Sequence, residues 1–237
     1  MKAILLAGGE GRRLLPYTTV LPKPLMPLGD MPILEIIIRQ LKSFGFTDIV
    51  ISVGHLANLI QAFFGSGARW GVNISYSIEN EPLGTAGPLK LIENPDDNTL
   101  FMNGDILTDL NYLDLINFHR EQKALFTVAA YERDSKIDFG VLEKNDTDII
   151  DYIEKPVYHF DVSMGIYCVN VRALDYLELN EKINVPDLIL RLINNNEPVK
   201  SYKADCMWLD IGRLDDYESA VDLFEKNRNL FLKEDNH

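Results

Sequence analysis

Hydrophobic positions follow one rhythm in the first half of the chain and another in the second. Short solid apolar runs at residues 2–7, 48–53 and 99–103 read as buried strands, and residues 73–78 alternate apolar and polar with period two. Between the first two runs, Ile33, Leu34, Ile37, Ile38 and Leu41 recur at helical spacing behind Asp30 and Pro32, which open the helix. Further helices are expected near residues 56–64 and over 112–122, the latter capped by Asp109 or Asn111. Strand and helix in alternation predict an α/β fold with a largely parallel sheet and helices on both faces. After residue 124 strands dominate, at 125–132, 139–143, 149–154 and 165–171. Two short helices follow near 173–177 and 186–194, then a strand at 199–205 and a last helix from about 215 toward 226. Residues 227–237 are polar and expected to fray. No linker, low-complexity tract or repeat divides the chain. One domain over residues 1–226 is therefore expected, built from segments 1–124 and 125–212 and a closing helix at 213–226.

Composition narrows the function classes. With 237 residues, 46% of them hydrophobic, the chain can bury a sizeable core. Cys168 and Cys206 lack metal-ligand spacing and are expected to pack as small hydrophobes in a reducing compartment. The longest apolar run, residues 31–38, is broken by Glu35 and is too short to span a bilayer. The N-terminal apolar stretch enters a glycine loop and does not resemble a signal peptide, so a cytoplasmic location is expected. A net charge of −13 argues against nucleic acid and anionic membranes as partners. Residues 1–42 nevertheless hold six basic groups against three acidic ones. That local excess points to an anion site, most simply for a phosphorylated small molecule. A solvated helix face explains Arg39 and Lys42, but not Arg12 and Arg13 inside a turn.

The strand ending in Leu6 and Ala7 leads into Gly8, Gly9, Glu10, Gly11, Arg12 and Arg13. Glycines let backbone N–H groups approach phosphate oxygens, and arginine supplies a bidentate charged fork. A dinucleotide fingerprint would need glycine where Leu14 stands and an acidic residue about twenty positions on, where Pro32, Ile33 and Leu34 lie. A P-loop needs a Gly-Lys pair, and the chain has none. Four prolines in residues 16–27 then form a stiff irregular arm that presents Lys23 between Pro22 and Pro24.

The stretch LAGGEGRRLLPYTTVLPKPLMPLGDMPILE resembles the signature of the sugar-1-phosphate nucleotidylyltransferases, the NDP-sugar pyrophosphorylases. Further matches follow in order: EPLGTAGPL from Glu81, Asn103-Gly-Asp105, Phe139-Gly140, Glu154-Lys155-Pro156, Gly165-Ile-Tyr and Trp208-Leu-Asp-Ile-Gly212. The resemblance covers about residues 1–222, and EPLGTAGPL is similar to the GDP-mannose pyrophosphorylase branch. It implies a Rossmann-like three-layer αβα sandwich with a mostly parallel mixed sheet. It also implies attack of a sugar 1-phosphate on the α-phosphorus of a nucleoside triphosphate. By this resemblance Arg13 and Lys23 are the catalytic cations, and Asp105 and Asp210 hold Mg²⁺. Leu6, Ala7, Gly8, Gly9, Gly11, Glu79, Gly84 and Thr85 bind the nucleotide, while Gly140, Glu154, Lys155 and Ser163 serve the sugar phosphate. Arg12 stands where the family usually has Thr, and Ser163-Met164 where it often has Asn-Ala. Two unpaired aspartates close together would repel in the metal-free site, so removing either is expected to leave folding intact.

Thymidylyl and uridylyl members carry a glutamine upstream of the glycine that matches Gly84; counting back gives Glu79 here, and a one-residue shift would give Asn80. An ionised carboxylate only accepts hydrogen bonds, which suits the N1–H and N2–H groups of guanine, so GTP is favoured. Alternatively, Glu79 is an exposed strand end and a backbone group reads the base; UTP, dTTP or CTP then remain open. No short-period repeat of the β-helical kind follows Gly212. A stand-alone catalytic domain is expected, as monomer or homodimer. A glycosyltransferase would carry a D-x-D motif, which Asp105-Ile-Leu-Thr-Asp109 is not. A regulatory paralogue should have lost Arg13, Lys23 or an aspartate, and a cytidylyltransferase of polyol phosphates fits the Glu154 and Trp208 motifs less well.

Overall fold

A computed structural model describes residues 1–79 and 81–232; the alternative base-reading position Asn80 and residues 233–237 lie outside the described residues. In chain order, β1 (Lys2–Ala7), β2 (Pro27–Leu28), β3 (Met31–Pro32) and α1 (Ile33–Ser43) come first. They are followed by β4 (Asp48–Val53), α2 (Ala57–Phe64), β5 (Asn73–Ile78), β6 (Asn98–Asn103), β7 (Ile106–Thr108) and α3 (Tyr112–Glu121). The second half contains β8 (Phe126–Lys136), β9 (Val141–Asn145), β10 (Asp148–Ile153), β11 (Val157–Asn170) and α4 (Val185–Asn194). The described chain then ends with β12 (Val199–Lys203), β13 (Trp208–Asp210), α5 (Leu214–Lys226) and α6 (Arg228–Phe231).

Seven strands form one sheet in the order β12-β8-β11-β6-β1-β4-β5. Only β11 runs antiparallel to its neighbours, β6 and β8; the other pairings are parallel. The expected α/β architecture with a mixed, mostly parallel sheet is the one observed. Strand β1 shows why its sequence reads as a solid apolar run. Ala3, Leu5 and Ala7 pack into a core with α1, α2, α3 and α5, whereas Ile4 enters the core on the other face with α4. The chain winds from β1 through β4 to β5 in one direction and reaches β6 in the other. The crevice beyond the carboxyl ends of β1 and β6 is therefore a topological switch point, where open α/β sheets bind ligands.

Several expectations differ in detail from the structure. Strand β11 is twice as long as the expected 165–171, because residues 157–163 pair with the exposed outer part of β8 and carry no buried-strand pattern. The stretch near 173–177 is a 3₁₀ helix, Val171–Tyr176, capped by the Asn170 side chain. Asn111 caps α3 by accepting from the Leu113 N–H at 3.1 Å; Asp109 instead accepts from the Met207 N–H at 2.7 Å. Asp30 does not cap α1 but pairs with Arg228. The segment after residue 226 is not all frayed tail. Its first turn is α6, and Phe231 is only 1% exposed, with its ring 6.1 Å from that of Phe224. Cys168 is buried, which pushes its thiol up to about 12, and Cys206 is half-buried beside Thr108. Among the described residues no helix is long and apolar enough to cross a membrane.

Candidate active site

A cleft of about 310 Å³ opens at that switch point, lined by Leu6, Gly8, Gly9, Glu79, Pro82, Gly84, Thr85, Asn103 and Asp105. Leu6 lies in register with Ser52 of β4 on one side and Asn103 of β6 on the other. The glycine loop leaves β1 directly over this row. Gly8 touches Glu79 so closely that a Cβ there would fall 2.7 Å from Oε1. Gly11 takes a left-handed φ of +62° and faces Thr18 and the Cβ of Lys23, which folds the proline arm back onto the loop. Thr18 reinforces that fold by donating to the Gly11 carbonyl at 2.9 Å.

At one end of the cleft four charged groups from distant segments meet. Lys23 is nearly buried and forms an ion pair with Asp105 Oδ2. Asp105 precedes β7, which pairs antiparallel with β13, so that Ile106 lies opposite Asp210. The Ile211 N–H also donates to the Asp105 carbonyl at 3.2 Å. Arg13 lies against Gly212, where a Cβ would fall 3.2 Å from its Nη1. Burial, then the charge of Asp105, raise the Asp210 carboxyl above its ordinary range, and Lys23 and Arg13 partly offset this. Asp105 Oδ1 is buried without a hydrogen-bond partner among the described residues. Arg12 points away: its side chain is 81% exposed and pairs with Glu10. Sequence reasoning brought the two aspartates together but missed the Lys23–Asp105 contact, for which a sequence carries no signal.

The opposite wall is held by Glu79. The Ser52 hydroxyl donates to its Oε1 at 2.9 Å, and the Leu83 N–H donates to its Oε2 at 3.1 Å. Each carboxylate oxygen retains acceptor capacity, but the side chain also pins the loop that carries Pro82 and Gly84. Thr85 is anchored from the far side. Its N–H donates to Asn184 Oδ1 at 3.3 Å, and its hydroxyl accepts from the Val185 N–H at 2.9 Å, at the start of α4. Gly84 lies against Ile183 and Asn184. Asn103, Pro82 and Asn184 are the additions to the expected set. The first two sit inside the motifs quoted above, whereas Asn184 lies outside all of them, 99 residues after Thr85.

The residues assigned to the sugar phosphate gather in the second half and do not line the cleft. Gly140 lies against the Tyr152 hydroxyl, which donates to Glu154 Oε2 at 3.0 Å. Lys155 follows in the turn from β10 to β11 with a left-handed φ of +45°, exposed like Glu154. Ser163 sits at the register shift in β11, its Oγ 3.3 Å from the Tyr167 hydroxyl, and Gly165 beside it presses on Asn103 of the cleft wall. Trp208, whose strand pairs with β7, donates from Nε1 to the Met164 carbonyl at 3.0 Å and so ties that strand pair to β11. Among the described residues the histidines form no metal-binding group; His119, for example, is buried, bonded to Thr127 and Asn98, and pushed down to about 4 by burial.

Comparison with known proteins places the chain in a family. The chain is 35% identical over 237 residues to a mannose-1-phosphate guanyltransferase of Yarrowia lipolytica, covering 94% of this chain and 64% of that protein. It is 33% identical over 242 residues to a UTP–glucose-1-phosphate uridylyltransferase of Synechocystis, covering 93% and 62%. The chain thus spans less than two thirds of the length of these relatives. A crystal structure of a putative glucose-1-phosphate thymidylyltransferase from Bacillus anthracis superposes with a TM-score of 0.73 at 27% identity, covering 94% of each chain. HddC from Yersinia pseudotuberculosis shares the fold, with a TM-score of 0.74 at 24% identity, over 94% of this chain and 99% of its own. The nucleotidyl transferase family matches residues 2–227, from β1 to the end of α5, and so takes in every charged group at the cleft; the chain belongs to this family.

Proposed function

We propose that this protein transfers a nucleotidyl group from a nucleoside triphosphate to a sugar 1-phosphate. The observation that carries the reading is the convergence of Arg13, Lys23, Asp105 and Asp210 beside a glycine loop at one end of the cleft. An oxygen of the sugar phosphate bonds to the α-phosphorus, the α–β bridging bond breaks, and pyrophosphate leaves with the electron pair. The nucleophile is already an anion, so no general base is needed and catalysis rests on positioning and charge neutralisation. In this reading backbone N–H groups of Gly8, Gly9 and Gly11 hold the triphosphate and Arg13 steadies the departing pyrophosphate. Lys23 neutralises the reacting phosphates, exchanging its contact with Asp105 for them.

Asp105 and Asp210 fit Mg²⁺: both are oxygen donors, one presents a buried unpartnered oxygen, and their mutual repulsion favours a shared cation. Among the described residues no group of three or more His, Cys, Asp or Glu could hold a metal, so water and phosphate oxygens would complete the shell. When bound, the ion supplies charge stabilisation at the transferred phosphate. On the sugar side Lys155 takes the phosphate, Glu154, set by Tyr152 and Gly140, accepts from sugar hydroxyls, and Ser163 lies nearest the cleft wall.

GTP is the proposed triphosphate, with Glu79 accepting from guanine N1–H and N2–H while Ser52 and Leu83 hold it in place. Charge-assisted hydrogen bonds contribute on the order of 1.5–3 kcal/mol, so the preference over pyrimidine triphosphates should reach roughly 10–100-fold. A matrix of GTP, UTP, dTTP and CTP against sugar 1-phosphates, read by pyrophosphate release, tests both levels. Absence of release from every pair would overturn nucleotidyl transfer. A higher kcat/KM for UTP or dTTP would overturn only the guanine assignment, and Glu79→Gln should narrow any advantage of GTP.

A further inference from the structure

A second cavity lies away from the catalytic cleft. It has a volume of about 540 Å³ and opens between the C-terminal end of α1, the 3₁₀ turn Ala68–Trp70 and α6. This size suits a small-molecule ligand. Four cations from three separate segments line it: Arg39 and Lys42 of α1, Arg69 and Arg228. No carboxylate is among its described lining residues, in a chain whose net charge is −13. Arg39 and Arg228 are paired with Glu35 and Asp30 respectively. Lys42 and Arg69 have no ion-pair partner among the described residues. Arg69 is held over the Trp70 ring at 5.3 Å, and Lys42 Nζ lies beside Gly71. Lys42 and Arg69 are solvent-exposed, and with no carboxylate among the described lining residues the cavity carries a positive potential that a bound anion would neutralise.

We propose that this cavity is a binding site for a multiply charged, phosphate-bearing small molecule, distinct from the cleft that holds Asp105 and Asp210. Arg69 and Lys42 are its principal donors, with Arg39 and Arg228 adding positive potential at the wall. The site is physically linked to the catalytic carboxylates. Gln40 lines the cavity and donates from Nε2 to the Thr108 carbonyl at 2.7 Å, at the end of β7. That strand begins one residue after Asp105 and pairs with β13, which ends at Asp210. Occupancy therefore bears on the strand pair that sets the spacing of the two aspartates.

Inorganic tripolyphosphate is the probe, measured by isothermal titration with the full chain at constant ionic strength. Replacing Lys42 and Arg69 together by Ala should weaken binding at one site at least about tenfold, the scale of losing charge-assisted bonds. The charge-conserving pair Lys42→Arg and Arg69→Lys should retain it. Arg13→Ala, which disables only the catalytic cleft, should leave this site intact. Melting curves of the Lys42→Ala/Arg69→Ala protein verify that it is folded, and if it is not, the single variants Lys42→Met and Arg69→Met replace it. A smaller loss in the folded variants, with all tripolyphosphate binding abolished by Arg13→Ala instead, overturns the proposal. The outcome is independent of whether the chain transfers nucleotides, because binding and not turnover is measured.

Discussion

Removing either aspartate of the cleft should abolish activity, but the two removals should have opposite effects on stability. Asp105 is the only ion-pair partner of Lys23 among the described residues, and the Lys23 side chain is 10% exposed. Removing one member of a buried pair costs about 3–5 kcal/mol, because the remaining charge is left uncompensated. Relief of the repulsion between Asp105 and Asp210, and loss of the unpartnered Oδ1, offset part of this. A net loss of about 1–3 kcal/mol remains for Asp105→Ala. For a domain of this size that lowers Tm by roughly 2–12 °C, at about 2–4 °C per kcal/mol. Asp210→Ala removes a carboxylate that burial and Asp105 already disfavour, and no ion pair is broken. It should leave Tm unchanged or raise it slightly. The assay is thermal unfolding of the three proteins at neutral pH without divalent cations, then with Mg²⁺. Added Mg²⁺ should stabilise the wild type by mass action and neither variant to the same extent. Equal Tm shifts for the two variants, or an Asp105→Ala protein as stable as wild type, would refute the reasoning. The sequence-based expectation that both removals leave folding intact is thus retained for Asp210 and replaced for Asp105.

The raised Asp210 carboxyl also predicts a pH dependence. Its folded form holds the proton more tightly than the unfolded chain, so its contribution is fully present below the ordinary value of 3.8 and is lost as pH rises through the folded value. Asp210→Asn should therefore gain stability relative to wild type as pH increases from below 3.8, and a constant difference across that range in denaturant titrations would contradict it. Arg13→Ala should lower kcat by at least about 10²-fold, as for a lost transition-state charge, whereas Lys155→Ala should chiefly raise the KM for sugar 1-phosphate. The reverse pattern in steady-state kinetics would exchange their roles. Phe231→Ala should cost about 3–5 kcal/mol, read by urea unfolding, since the ring is buried against Phe224; a cost below about 1 kcal/mol would mean that α6 contributes little to the fold.

Much of the fold is written in local hydrophobic pattern. Strands β1, β4 and β5 have the bounds that the sequence suggests, because a parallel strand buried on both faces imposes a solid apolar run and a half-buried edge imposes alternation. The glycine turn, the proline arm and the aspartates after β6 and in β13 are equally legible, since each needs a residue type at a fixed place in the chain. Tertiary structure alone decided what depends on distance through space. It buried Lys23 against Asp105, 82 residues away, and turned the hydroxyl of Thr85 toward α4. It extended β11 along an exposed partner that leaves no hydrophobic trace, and it packed α6 against α5 through Phe231 and through Arg228 over the Phe224 ring. It also gathered Arg39, Lys42, Arg69 and Arg228 around one cavity, although along the chain the first two look like an ordinary solvated helix face. Periodicity records which side of an element meets the core. Which charged groups meet one another is set by the packing of elements far apart in sequence, and no local pattern encodes it.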